Sequence, residues 1–195
     1  MEQPRRLVLA STSRYRKALL QRLGLRFEVA TPGVDEQALP RELPAQTALR
    51  LCAMKAKFLE KAFPDALIIG SDQVASCGGE RLGKPGGHAA AMRQLRSLSG
   101  NTADFHTAVA LLDAKSGQAQ SRVVPCRVTF QRLDDRLIES YLQREQPYDC
   151  AGSAKSEGLG IALIARIETE DPTSLIGLPL IALTEMLGRA GLPVL

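Results

Sequence analysis

Residues 7–17 read LVLASTSRYRK: an apolar run (Leu7–Ala10), then Ser11, Thr12 and Ser13, then Arg14, Arg16 and Lys17 around Tyr15. An unbroken apolar run of this length suits a strand of a parallel sheet covered on both faces. The hydroxyls that follow suit the N-cap of a helix. The cations do not suit a first helical turn, because the helix dipole favours acids there. The pattern therefore predicts an anion at this turn. Helix-start N–H groups beside Arg and Lys are the elements of a phosphate site. A solvated basic turn is the other reading that the spacing leaves open.

Outward from that turn, the spacing predicts a helix over about 13–23 with Leu19, Leu20 and Leu23 on its apolar face, stopped by Gly24. A short strand is expected at 27–30. Pro44 opens a long helix over 45–62, with Ala48, Leu49, Cys52, Ala56 and Leu59 as its buried stripe. A buried strand at 66–69 ends in GSDQ (70–73). The Gly-rich stretch 77–87, CGGERLGKPGG, reads as a loop before a helix at 88–98. From residue 104 the pattern becomes paired strands around the turn AKSG. Asp134 caps a helix to 143 with Leu137, Ile138 and Tyr141 on one face, and a loop of small residues covers 151–160. A strand follows at 161–168, and a closing helix begins after Gly177 and Pro179. Helices alternating with strands, then antiparallel pairing, imply an α/β fold with a mixed twisted sheet and flanking helices.

The 195 residues suit a single domain spanning 1–195, 45% apolar and 24% charged. A net charge of +4 fits an anionic ligand but is weak for a nucleic-acid polymer, and five Phe, three Tyr and no Trp supply few platforms for stacked bases. No apolar stretch approaches the roughly 18 residues of a membrane span, and no export signal is evident. Four dispersed Cys and two His argue against zinc or a disulfide framework. A reduced, cytoplasmic protein is the expectation.

GSDQ sets Asp72 just past the end of an apolar strand, where ligands of open α/β sheets gather. A carboxylate there holds a metal or orients water, or it simply caps a turn. Gly78 to Lys84 mimics a phosphate-cradling loop, but Pro85 has neither the hydroxyl nor the N–H that such a loop needs. Lys84 remains as a point charge. Glu36 and Lys55 are unremarkable singly and read as exposed. A Ser71–Asp72–His106 triad lacks the G-x-S-x-G elbow.

Together and in order, ASTS-x-x-RK-x-LL (10–20), VDE (34–36), the helical Lys55, GSDQ (70–73), GKP (83–85), SEGLGI (156–161) and GLPL (177–180) resemble the Maf-like nucleoside triphosphate pyrophosphatases over essentially the whole chain. The resemblance implies cleavage between the α and β phosphates with a divalent metal, Mg²⁺ or Mn²⁺. It also implies a Maf/ITPase-like fold of two lobes around a cleft, and a homodimer that acts on a small nucleotide rather than on a nucleic-acid polymer or a membrane. By it, Ser11, Ser13, Arg16 and Lys17 receive the triphosphate. Asp72 is the general base or metal-linked activator of water, with Glu36 as its metal or water partner. Lys55 and Lys84 neutralise phosphate charge.

Arg14 stands where the familiar motif has Pro, and Tyr15 where it has Arg. Tyr15, Gln73 and Glu157 resemble the branch acting on 7-methyl-GTP. The cationic N7-methylguanine ring would gain about 0.5–2 kcal/mol on an aromatic face, and a carboxylate would accept from its N–H edge. A dTTP/UTP pyrophosphatase and a septum-linked, nucleotide-binding regulator without turnover are the alternatives.

Overall fold

β1 (Leu7–Ala10) is buried at every position, because it carries a different apolar layer on each face. Leu7 and Leu9 pack with Leu19 and Leu20 of α1 (Arg14–Gln21) and with Leu183, Met186 and Leu187 of α5 (Leu180–Arg189). Val8 and Ala10 pack with Ala56 and Leu59, at the end of α2 (Pro44–Phe58). The unbroken apolar run is thus the signature of a strand with helices on both sides.

The structure, a computed structural model, describes residues 3–195. The chain forms two compact units. Among the described residues, the first comprises 3–73, 107–124 and 171–195, and the second comprises 74–106 and 125–170.

In the first unit, β1 pairs in parallel with β2 (Glu28–Ala30) and with β3 (Leu67–Cys77). Pro44 opens α2 as its spacing predicts. The helix ends at Phe58 rather than at 62, because Pro64 disfavours helix just before it and Phe63 folds back onto the layer around Val8. Leu49 faces solvent, while Leu51 takes the buried place.

β3 does not stop at Ile69. It continues through Gly70, Asp72 and Gln73 and pairs antiparallel with β4 (Glu80–Leu82). The supposed loop at 77–87 therefore begins as a hairpin. Cys77 faces Glu80 across Gly78 and Gly79, both at positive φ (58° and 86°), which is the backbone a two-residue hairpin turn needs.

In the second unit, α3 (His88–Leu98) packs on α4 (Asp135–Glu145), which Asp134 caps through the Leu137 N–H. Ile138, Tyr141 and Leu142 are the buried face of α4, and Leu137 is exposed. β7 (Ile164–Thr169) pairs antiparallel with β6 (Ala119–Phe130). Its expected beginning, 161–163, belongs instead to a 3₁₀ turn. With β5 (Thr102–Asp113), the seven strands form one mixed sheet in the order β2-β1-β3-β5-β6-β7, with β4 on β3. Among the described residues, no helix is long and apolar enough to cross a membrane.

Candidate active site

The register of β1 on β3 ends with Ala10 opposite Gly70. One step further, the chain places the Ser11 turn beside Ser71 and Asp72. Ser13 caps α1, its hydroxyl accepting from the Arg16 N–H at 3.4 Å, and Ser11 Oγ accepts from the Ser13 N–H at 3.1 Å. Each hydroxyl keeps its own hydrogen to donate. Arg16 lies half-buried and donates from Nε to the Gly177 carbonyl at 2.9 Å. Burial draws its pKa down, against the attraction of the Asp72 and Glu36 carboxylates. Lys17 is exposed.

Lys55 overturns the reading of an ordinary surface lysine. It is only 4% exposed, and its Nζ lies 2.6 Å from Asp72 Oδ1 and 2.6 Å from Glu36 Oε1. α2 thus carries one ammonium inward to join a buried carboxylate on β3 (7% exposed) to an open one on the 31–43 loop, whose side chain is 63% exposed. A buried lysine without a partner would favour its neutral form; two carboxylates supply the countercharge here. The arrangement is a graded line of charge leading from the interior to solvent. Asp72 sits within β3 rather than beyond its end, because the strand continues into the β4 hairpin.

The neighbours of Asp72 brace it. The Ser71 hydroxyl hydrogen lies between the carbonyls of Ala108 (2.8 Å) and Gly177 (2.9 Å). Gln73 Nε2 faces Thr107 Oγ1 (2.9 Å) and the carbonyls of Ser174 (3.0 Å) and Leu175 (3.1 Å). That amide nitrogen is therefore committed to protein, and any contact of Gln73 with a ligand goes through its carbonyl oxygen. Ser71 is structural, and no triad forms. The role of Gly177 as a shared acceptor for Arg16 and Ser71 was not visible in sequence. Its only signal was its place in GLPL.

Arg14 stacks on its neighbour: its guanidinium carbon lies 4.8 Å above the Tyr15 ring, and its Nη2 donates to the Tyr15 hydroxyl at 2.7 Å. Lys84 and Glu157 belong to the second unit, and both are exposed. Lys84 rides the 83–87 turn, in which the Gly86 N–H donates to the Tyr148 carbonyl at 3.0 Å. Glu157 lies between Lys155, whose ammonium meets Glu145 at 2.5 Å, and Leu159, whose N–H donates to Glu145 at 2.7 Å.

Among the described residues, no group of three or more His, Cys, Asp or Glu side chains suits a metal ion. Magnesium, however, commonly takes one or two carboxylates and completes its shell with water and substrate phosphate. Asp72 and Glu36, two hard oxygen donors that share Lys55, fit that requirement.

A protein of Thiobacillus denitrificans named 7-methyl-GTP pyrophosphatase is 58% identical over 97% of this chain and 94% of its own length. Proteins of the same name from Cupriavidus pinatubonensis and Burkholderia pseudomallei are 56% and 53% identical, covering 96% and 98% of this chain and 94% and 90% of their own. Among solved structures, the Staphylococcus aureus Ham1 protein overlaps 64% of this chain and 71% of its own at 12% identity and a TM-score of 0.44, too partial a likeness to carry an argument. The sequence profile of the Maf-like protein family matches residues 6–190. With nearly the whole chain matched, and with relatives above half identity along its length, this protein belongs to the Maf-like family.

Proposed function

We propose that this chain hydrolyses 7-methyl-GTP to 7-methyl-GMP and pyrophosphate. The observation that carries the reading is the Lys55 ammonium joining Asp72 to Glu36 within the unit that holds the Ser11–Lys17 turn. The substrate is the one in the names of relatives at 53–58% identity.

The Ser11 and Ser13 hydroxyls, Arg16 and Lys17 bind the triphosphate by charge-assisted hydrogen bonds. Lys55 fixes Asp72 through Oδ1, and Asp72 Oδ2 takes a proton from water. The water oxygen bonds to the α-phosphorus. The bond from that phosphorus to the bridging oxygen breaks, and pyrophosphate leaves with the electron pair. Asp72 and Glu36 would hold the Mg²⁺ or Mn²⁺ ion, which when bound supplies positive charge to the phosphates. Lys55 and Lys84 offset the charge that grows on the phosphates in the transition state. Tyr15 offers its ring to the cationic base, Gln73 its carbonyl oxygen, and Glu157 its carboxylate to the guanine N–H edge. The enzyme acts in the cytoplasm as a homodimer on a free nucleotide.

The test is pyrophosphate release from 7-methyl-GTP, GTP, dTTP, UTP and CTP with Mg²⁺ or Mn²⁺. A strong preference for 7-methyl-GTP, lost in Tyr15→Ala and Glu157→Ala, is expected. Asp72→Asn should lower turnover by about 10²–10⁴ while nucleotide still binds. Preference for dTTP or UTP would overturn the base-reading roles. Full activity in Asp72→Asn would overturn the mechanism, and binding without any turnover would mark a regulator.

A further inference from the structure

Two turns of the second unit carry residues that the reading above sets to work. The turn 83–87 holds Lys84, and the segment 153–160 holds Glu157. Gln94, on α3, touches both. Its Nε2 donates to the Gly83 carbonyl at 2.8 Å, and its Oε1 accepts from Ser153 Oγ at 2.5 Å.

Ser153 is fully buried and sits at φ 55°, in the left-handed region that non-glycine residues seldom occupy. Such a conformation persists only where the surroundings over-determine it. Here it aims the hydroxyl at Gln94. From Ser153 the chain runs directly into a rigid frame. The Lys155 N–H donates to the Tyr141 hydroxyl at 3.0 Å, and Lys155 Nζ and the Leu159 N–H take the two oxygens of Glu145. A Cβ at Gly158 would lie 2.5 Å from Glu145 Oε2, so a larger residue there would have to displace the carboxylate that Lys155 and the Leu159 N–H hold. Burial pushes the Glu145 carboxyl up, but Lys155 and the Leu159 N–H together hold it below its usual range. Little slack remains between Glu157 and Ser153, or between Gln94 and Gly83.

We infer that Gln94 is a positioning residue that couples the Glu157 segment to the Lys84 turn. The inference rests on the proposed hydrolysis, with Glu157 on the base and Lys84 on the phosphates. A base that seats Glu157 correctly then also sets Lys84. Base recognition thereby enters kcat and not KM alone, as expected of contacts that strengthen in the transition state. A nucleotide with the wrong base leaves the lysine misplaced even when it binds.

Two variants cut the bridge on opposite sides. Gln94→Glu keeps an acceptor for Ser153 but loses the donor to Gly83. Ser153→Ala keeps the Gly83 bond and loses the other arm. In the free protein, Ser153→Ala should raise hydrogen exchange across 83–87 by about tenfold, although no atom of that turn has changed. On 7-methyl-GTP, Lys84→Ala and Glu157→Gln should be non-additive in kcat by about tenfold in the unaltered chain, and by about twofold in either cut background. Normal melting with unchanged exchange across 83–87 and unchanged non-additivity in both variants would overturn the inference. If Ser153→Ala does not fold, Gln94→Glu decides by the same two readouts. If the unaltered chain releases no pyrophosphate from any guanine nucleotide, the hydrolysis reading falls. The exchange result then judges the coupling by itself: raised exchange supports it, and unchanged exchange overturns it.

Discussion

Gly70 of β3 lies against the backbone of Cys52 in α2. A Cβ at 70 would fall inside the contact radius of the Cys52 carbonyl oxygen and 2.9 Å from the Ala56 nitrogen. This close approach brings Lys55, between those two helix residues, within reach of Asp72, two residues further along the strand. Gly70→Ala must therefore push a helix backbone away from a strand, with no flexible side chain to yield. Overpacking of this kind costs about 3 kcal/mol. The expected outcome is a lower urea midpoint with an unchanged slope, together with loss of turnover under conditions where the variant is still folded. Wild-type activity in a folded Gly70→Ala protein would show that the Lys55–Asp72 spacing is not set by this contact.

The Lys55–Asp72 pair should behave as a buried pair does. Lys55→Met leaves Asp72 without its cation and should cost about 3–5 kcal/mol in denaturant unfolding. Lys55→Met combined with Asp72→Leu should recover much of that loss, because no buried charge is left alone. Neither protein should turn over nucleotide. A double variant no more stable than Lys55→Met would mean that Asp72 finds its countercharge elsewhere, with Arg16 the first candidate.

Arg14 already supplies a cation to the Tyr15 ring. If Tyr15 stacks the methylated base, Arg14 competes for the same aromatic surface. An exposed cation–π contact is worth about 0.5–1 kcal/mol, so Arg14→Ala should lower KM for 7-methyl-GTP by about twofold to fivefold. Steady-state kinetics decide the sign. A raised KM for every nucleotide tested would assign Arg14 to the phosphates instead.

Glu42 holds the loop that carries Glu36. Arg50 Nε and Nη2 reach its two oxygens at 2.7 and 2.8 Å, the Thr47 hydroxyl donates to it at 2.8 Å, and the Leu39 N–H at 3.0 Å. The Arg50 pair, with those further donors, draws the Glu42 carboxyl down from its ordinary 4.5 to about 2. Because the folded value lies below the unfolded one, the stabilisation is fully present above about pH 4.5 and is lost as pH falls toward 2. Amide protection in 36–43, taken relative to the intrinsic exchange rate at each pH, should fall across that window in the native protein. Glu42→Gln should already show raised exchange at pH 7 and lose most of the pH dependence. A flat native profile would place the acid-sensitive contact elsewhere.

Burial pushes the Cys52 thiol up to about 12 and the Cys126 thiol up to about 11. The thiolate is the reactive form, so neither should be alkylated at pH 8 in the folded protein. Mass spectrometry after iodoacetamide treatment should find both unmodified until urea unfolds the chain. Early labelling of Cys52 would reveal local opening of α2 from β3.

Much of this molecule could be read locally. The apolar run 7–10 declared a strand covered on both faces, Ser13 declared the start of α1, and Pro44 and Asp134 declared two further helix starts. Each is a short-range effect, in which a side chain satisfies or blocks the backbone within one turn of itself. The order of the motifs also pointed to the family. The burial of Lys55, the exposure of Leu49 and Leu137, and the run of β3 through Asp72 were not legible, because which face of a helix is covered, and how far a strand goes on finding partners, depend on segments distant in the chain. Local sequence therefore determined where the elements begin and which residue types carry chemistry. Tertiary packing decided which charges meet: Glu36, Lys55 and Asp72 are scattered along the chain, and Lys55 reaches Asp72 where α2 passes β3 at a residue without a side chain.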